Sequence, residues 1–184
     1  MDKGAYCYQQ FLGGNSDAFS EVLDIYRDSL IFFINRFVKN EDTAEEIAAD
    51  CFVELIVHPK RYNFSTSLKT YLFTIAHNKA VNYIRRSEKI KFLPLDNVCQ
   101  KSAEYAGFED EILRDEKKRQ LNDALFEIKD DYRTALHLIY FEEMSYKDAA
   151  KVMKRTVKQI DNLVTRGKAA LRNKLEKEGF VYEE

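Results

Sequence analysis

Two prolines, Pro59 and Pro94, and six glycines are the only strong backbone punctuation in this chain. The long stretches between them are filled with Leu, Ala, Glu and Lys, side chains that lose little freedom on entering a helix. An all-α protein is therefore expected. Its 184 residues, 45% of them hydrophobic, suffice for one large or two small domains, each with its own core.

Asn15-Ser16-Asp17 supplies N-cap candidates for a first long helix, with apolar residues at positions 19, 22, 23, 26, 30, 33, 34, 37 and 38 on one side. Thr43-Ala44-Glu45-Glu46 has capping-box form. It precedes a stripe of Ile47, Ala48, Cys51, Phe52, Leu55 and Ile56 that Pro59 brings to an end. A third helix is expected over Leu68, Tyr71, Leu72, Ile75, Ala76, Tyr83 and Ile84, running to about Arg86. Three such helices can bury their stripes together in a first domain over 1–90. From 91 to 108, Pro94, Gly107 and scattered polar residues give no sustained period, which predicts a flexible linker.

The second domain is expected over 109–184. Ile112, Leu113, Leu121, Ala124, Leu125 and Ile128 suggest one helix, and Ala135, Leu136, Ile139 and Tyr140 another behind Asp130-Asp131. Ser145-Tyr146-Lys147-Asp148 can then cap a short helix, and Thr156-Val157-Lys158-Gln159 repeats the capping-box pattern eleven residues later. Two helices separated by about three residues form a helix-turn-helix. Lys154 and Arg155 occupy its turn, with no glycine.

Total charge is uninformative, 29 basic against 31 acidic residues, but its distribution is not. Residues 41–54 hold six acids and no Lys or Arg, whereas 151–174 hold eight bases against Asp161 alone. The three cysteines, Cys7, Cys51 and Cys99, form no C-x-x-C pair, so neither a disulfide framework nor a zinc site is suggested, and a reducing compartment fits. No charged-then-apolar signal opens the sequence, and the longest apolar run, Leu30 to Ile34, is too short to span a bilayer. A cytoplasmic protein without membrane insertion is expected. His58, His77 and His137 are not grouped with carboxylates, and neither H-E-x-x-H nor a glycine-rich phosphate loop occurs. No catalytic residue, metal or cofactor is therefore expected.

Two constellations suit nucleic acid. In the last helix Val157, Ile160, Val164 and Leu171 fall on one side, and Lys158, Asp161, Asn162, Thr165 and Arg166 can project from the other. Asn can pair with adenine, Arg with guanine, and Asp can accept from a cytosine amino group, so this set could read a major groove; the alternative is a merely solvated face. The second cluster runs from Lys60, Arg61, Tyr62, Asn63 and Phe64 through Lys69, Tyr71, Asn78 and Lys79 to Arg85 and Arg86. Aromatic rings for stacking, amides for base edges and cations for phosphates suit a single strand; the alternative places Tyr71 and Phe64 in the core.

In this order the segments resemble the extracytoplasmic-function group of bacterial RNA polymerase sigma factors, from about Asp17 to Leu175. Ala44-Glu45-Glu46-Ile47-Ala48-Ala49-Asp50-Cys51-Phe52 is similar to the acidic helix with which that family binds core polymerase. Leu68-Lys69-Thr70-Tyr71-Leu72-Phe73-Thr74-Ile75-Ala76-His77-Asn78, followed by Asn82-Tyr83-Ile84-Arg85-Arg86, resembles its promoter-melting helix. The second-domain likeness runs from Ala124-Leu125 through Tyr132-Arg133 and Met144-Ser145-Tyr146-Lys147-Asp148-Ala149-Ala150 to Arg166-Gly167-Lys168-Ala169-Ala170-Leu171. Ala49 stands where the family usually has glutamine, Tyr71 where it has tryptophan, Asn82 where it has aspartate, and Asp161 where a basic residue is common.

The resemblance implies a factor that binds core RNA polymerase, recognises a promoter and helps open it, with the catalysis left to polymerase. It implies polymerase binding by Glu45, Glu46, Ala49, Asp50 and Phe52. It implies −10 element binding by Arg61, Asn63, Lys69, Tyr71, Thr74, Asn78, Arg85 and Arg86. For the −35 element it implies Arg155, Thr156, Lys158, Asp161, Asn162, Thr165 and Arg166. A sequestering anti-sigma factor is a further implied partner. Two rival readings are a stand-alone helix-turn-helix regulator and an adaptor that touches no nucleic acid. The first would normally need a dimerising surface for a two-fold operator, and no heptad seam is evident. The second leaves two unlike basic faces without a use.

Overall fold

The computed structural model describes residues 2–91 and 112–177, with side chains described over 2–88 and 119–177. It is helical in two compact units, and among the described residues there is no strand. The expected linker, 91–108, lies outside the described residues apart from Lys91.

The first unit holds α1 (Lys3–Leu12), α2 (Asp17–Val38), α3 (Glu41–Val57), a 3-10 turn at Pro59–Arg61, and α4 (Leu68–Lys91). Helix α1 is an addition to the three helices expected. Asp2 starts it by accepting from the Ala5 amide at 2.8 Å, and Gly13 ends it. The same carboxylate accepts from the Leu68 amide at 3.1 Å and from the Tyr26 hydroxyl at 3.3 Å. One side chain thus satisfies orphan donors at the starts of both α1 and α4. Tyr8 fixes the other face of α1 by donating its buried hydroxyl to the Leu55 carbonyl at 2.8 Å.

Periodicity located the inner faces of α2 to α4 well. Val22, Tyr26, Leu30, Phe33 and Ile34 of α2 are buried with Ile47, Cys51 and Leu55 of α3 and Leu68, Leu72, Phe73 and Ala76 of α4. The caps differ from those expected. Ser16 makes no side-chain bond to α2, and α3 begins two residues before Thr43, with Asn40 accepting from the Thr43 amide at 2.8 Å. Two expected core residues, Ile56 and Tyr83, face outward instead.

The second unit holds α5 (Ile112–Glu127), α6 (Asp130–Leu136), α7 (Tyr146–Met153) and α8 (Val157–Lys177). Helix α6 runs into a π-helical turn at His137–Phe141, closed by the Glu142 amide donating to the His137 carbonyl at 3.1 Å. The wider turn changes the phase of the helix. Tyr140, expected inside, is consequently exposed, while His137 is buried with its Nε2 3.2 Å from Glu142 Oε1. Helix α8 packs on α6 at Gly167, where an added Cβ would stand 3.2 Å from both Leu136 Cδ1 and Tyr132 Cβ.

The helix-turn-helix forms at the expected place. Ser145 Oγ accepts from the Asp148 amide at 3.1 Å to start α7. Lys154 then takes the left-handed conformation, φ 52°, in which glycine is the usual residue, and the Arg155 amide returns to the Ala150 carbonyl at 2.9 Å. At α8 the capping box is complete in both directions. Thr156 Oγ1 accepts from the Gln159 amide at 3.2 Å, and Gln159 Oε1 accepts from the Thr156 amide at 2.8 Å.

Candidate functional site

Three surfaces carry the chemistry marked out by the sequence. On α3, Glu45, Glu46, Ala49 and Asp50 are exposed, but Phe52 is not. It is 4% exposed and meets Phe19 edge-on at 6.4 Å, so its ring belongs to the bundle core and is withdrawn from any partner. Folding also supplies bases that the local count lacked. Arg27 of α2 pairs with Glu45 at 3.1 Å, Lys79 of α4 pairs with Asp50 at 3.1 Å, and Arg61 pairs with Glu54. Glu46 has no ion-pair partner among the described residues.

Beside these acids lies a feature that the sequence reading missed. Val53, Ile56 and Val57 are 51, 48 and 60% exposed. With Ala49 they follow i, i+4, i+7, i+8 spacing, which lines them along one face next to Glu46 and Asp50. The surface is thus an apolar stripe with acidic neighbours. Its signal was present, since α3 is apolar over more of its circumference than one buried face requires.

The second surface joins the loop after Pro59 to α4. Tyr62 is buried, donates to the Thr66 carbonyl at 2.8 Å, and holds Tyr71 and Phe64 at ring distances of 5.0 and 4.6 Å. Tyr71 is half-buried, which raises its phenol pKa chiefly through desolvation. Phe64 adopts φ 59° at the loop tip and stays exposed. The alternative that places Tyr71 and Phe64 in the core fails for Phe64, which is exposed, and holds only in part for Tyr71, which is half-buried; the buried ring of the cluster is Tyr62.

Tyr71, Asn78, Asn82 and Arg85 fall within a narrow arc of α4, given 100° per residue. Lys69 stands about 160° away from Tyr71 round that helix, with its ammonium 5.8 Å from the Phe73 ring centroid. Arg85 and Arg86 are exposed, but about 21 Å along the axis from Tyr71. They form a separate station from the aromatic one. Thr74 donates its hydroxyl to the Thr70 carbonyl at 2.7 Å, Asn63 Oδ1 accepts from the Ser65 amide at 3.1 Å, and Arg61 is held by Glu54. These three side chains therefore shape the loop and helix start as well as facing outward.

The third surface is α8. Lys158, Asp161, Asn162, Thr165 and Arg166 are all exposed within an arc of about 140° and a length of about 12 Å, the width of a major groove. Arg155 and Thr156 are exposed too, but engaged: Arg155 donates to Asp131 at 3.0 Å and Thr156 caps the helix. Val157 departs from expectation, being 49% exposed where the periodicity had aligned it with Ile160 and Val164. As the first helical residue it lies beyond the end of the packed stripe. Lys168 sits 4.7 Å over the Tyr140 ring, which the π-helical turn has brought outward. Among the described residues no three His, Cys, Asp or Glu side chains gather as a metal site would need, and no helix is long and apolar enough to cross a membrane.

A helix-turn-helix domain and a second helical domain with an aromatic, cation-bearing face define a DNA-binding protein of the transcription machinery. Its two halves match sigma-70 region 2 over residues 23–90 and sigma-70 region 4 over residues 118–171. The chain is 26% identical over 175 residues to the ECF RNA polymerase sigma factor SigW of Bacillus subtilis (strain 168), covering 91% of this chain and 94% of that one. It is 27% identical over 169 residues to the RNA polymerase sigma-H factor of Pseudomonas aeruginosa, covering 86% of each. Its fold is shared with CnrH, solved in complex with the cytosolic domain of CnrY: TM-score 0.68, 18% identity, 96% of this chain and 99% of that one. It is shared also with the sigma factor RpoE, solved in complex with the anti-sigma factor NepR from Bartonella quintana: TM-score 0.65, 23% identity, 86% and 96% covered. The chain belongs to the extracytoplasmic-function sigma factors, and it directs promoter recognition.

Proposed function

We propose a division of labour in which the first domain, residues 1–90, holds core polymerase and the −10 element, the stretch 91–108 links the domains, and the second domain, 109–184, reads the −35 element. Polymerase is held through the acidic and apolar face of α3, with Glu45, Glu46, Ala49 and Asp50 at the surface and Phe52 supporting it from within. Tyr71, Asn78 and the loop from Arg61 receive the unpaired strand, Arg85 and Arg86 hold phosphates further along, and Asn162, Thr165 and Arg166 read base edges. The protein works in the cytoplasm, has no catalysis of its own, and is sequestered by an anti-sigma partner, a reading supported by its structural neighbour RpoE, which was solved in complex with the anti-sigma factor NepR.

One observation carries this reading: an exposed polar and charged arc on the second helix of a helix-turn-helix, α8, and an aromatic, cation-bearing face on α4 occur in one chain, on different domains. A stand-alone regulator needs only the first of these. The test is co-elution with core polymerase, followed by run-off transcription on genomic fragments. A stable complex and discrete start sites are expected; specific duplex binding by the free chain, with no polymerase complex, would favour the stand-alone regulator.

A further inference from the structure

One large apolar side chain interrupts the polar surface of α8. Val157 is 49% exposed at the first position of the helix. By helical geometry it lies about 40° from Asp161, one turn before it, and about 100° from Lys158. The other side chains at the helix start are committed elsewhere. Thr156 and Gln159 hold each other in the capping box, and Arg155 reaches Asp131. Val157 and Lys158 are therefore the first side chains left to project from the N-terminal end.

A recognition helix presents its N-terminal residues to base edges in the major groove. Among the groups displayed there, the thymine C5-methyl is the apolar one. Against an isopropyl group, a base-edge donor or acceptor would lose its hydrogen bond to water with no replacement, whereas a methyl would gain by burial. We propose that Val157 is a specificity-determining residue that reads a thymine methyl in the upstream promoter element. The inference rests on the reading of α8 as the helix that enters that element.

Deoxyuridine pairs as thymine does and lacks only the methyl, so it isolates the contact. Once run-off transcription has located a promoter, each thymine of its upstream element, on both strands, is replaced singly by deoxyuridine. Promoter binding is then measured with holoenzyme assembled from core polymerase and the full chain. At one position the replacement should weaken binding about four-fold, the amount expected for one buried methyl-sized group. Val157→Ala holoenzyme should bind the thymine and deoxyuridine promoters equally, and Val157→Ile should restore the preference; an unchanged thermal melt shows that the variants are folded. The inference is overturned if wild-type holoenzyme ignores every replacement, if Val157→Ala keeps the same preference, or if the upstream element contains no A·T pair. Should the whole upstream element prove dispensable while other α8 variants also have no effect, the −35 assignment itself fails along with this one.

Discussion

Phe52 and Val53 are neighbours on α3 with opposite surroundings, 4% and 51% exposed, and substitutions at the two should fail in different ways. Phe52→Ala removes a ring packed against Phe19, so a loss of about 3–5 kcal/mol in urea unfolding is expected. Polymerase capture by that variant should fall only as the folded fraction falls. Val53→Lys leaves the core intact and sets a charge in the apolar stripe, so capture should weaken while the unfolding midpoint stays within about 0.5 kcal/mol of wild type. Glu46→Lys should behave likewise. Asp50 is a less clean probe, because reversing it also breaks its pair with Lys79. Gly4 makes a different residue-scale prediction. Alanine is the better helix former by about 1 kcal/mol, yet a Cβ here would overlap the Tyr26 ring, which is itself buried and bonded to Asp2. Gly4→Ala is expected to destabilise the protein by about 1–3 kcal/mol in thermal or urea unfolding; a gain in stability would show that Tyr26 is free to move.

At the scale of elements, the sequence is most legible where the determinants are local. The Thr156/Gln159 capping box and the Ser145 cap were readable because each closes within three residues, and both form as written. Thr156→Ala should cost about 1 kcal/mol in the stability of the second domain and lower −35 affinity by fraying the start of α8; Thr156→Ser should restore both. The left-handed Lys154 shows that the turn tolerates the absence of glycine, at a conformational cost of about 1–2 kcal/mol. Helix α1 was missed although its signals were present, with Asp2 and Gly13 at its ends and Ala5, Tyr8 and Leu12 spaced on one face. The π-helical turn had no such signal. Its buried His137–Glu142 pair depends on packing, and the phase change it brings is why Tyr140 could not be placed from periodicity. Ile56 and Val157 were misplaced for a simpler reason: spacing locates a stripe, but not how far the partner helix extends to cover it.

For the whole molecule, the residue types of the surfaces proposed to face DNA were legible but their grouping was not. The sequence offers one basic-aromatic cluster, which folding divides into an aromatic station around Tyr71 and an arginine station about 21 Å along α4. The two should serve different steps. Loss of the aromatic station should impair strand opening, because a captured base offsets the few kcal/mol of unstacking, whereas loss of Arg85 and Arg86 should weaken docking on closed duplex in a salt-dependent manner. The most direct test of the central claim is permanganate footprinting of a linear promoter with core polymerase, in the presence and absence of the full chain. Reactive thymines around the start site should appear only when the chain is present and should vanish with a folded Tyr71→Ala, Asn78→Ala variant, whose run-off transcription should return on a promoter with a pre-melted bubble. A promoter that core polymerase opens equally well without the chain, or a variant whose defect is as deep on the bubble as on the duplex, would contradict the account.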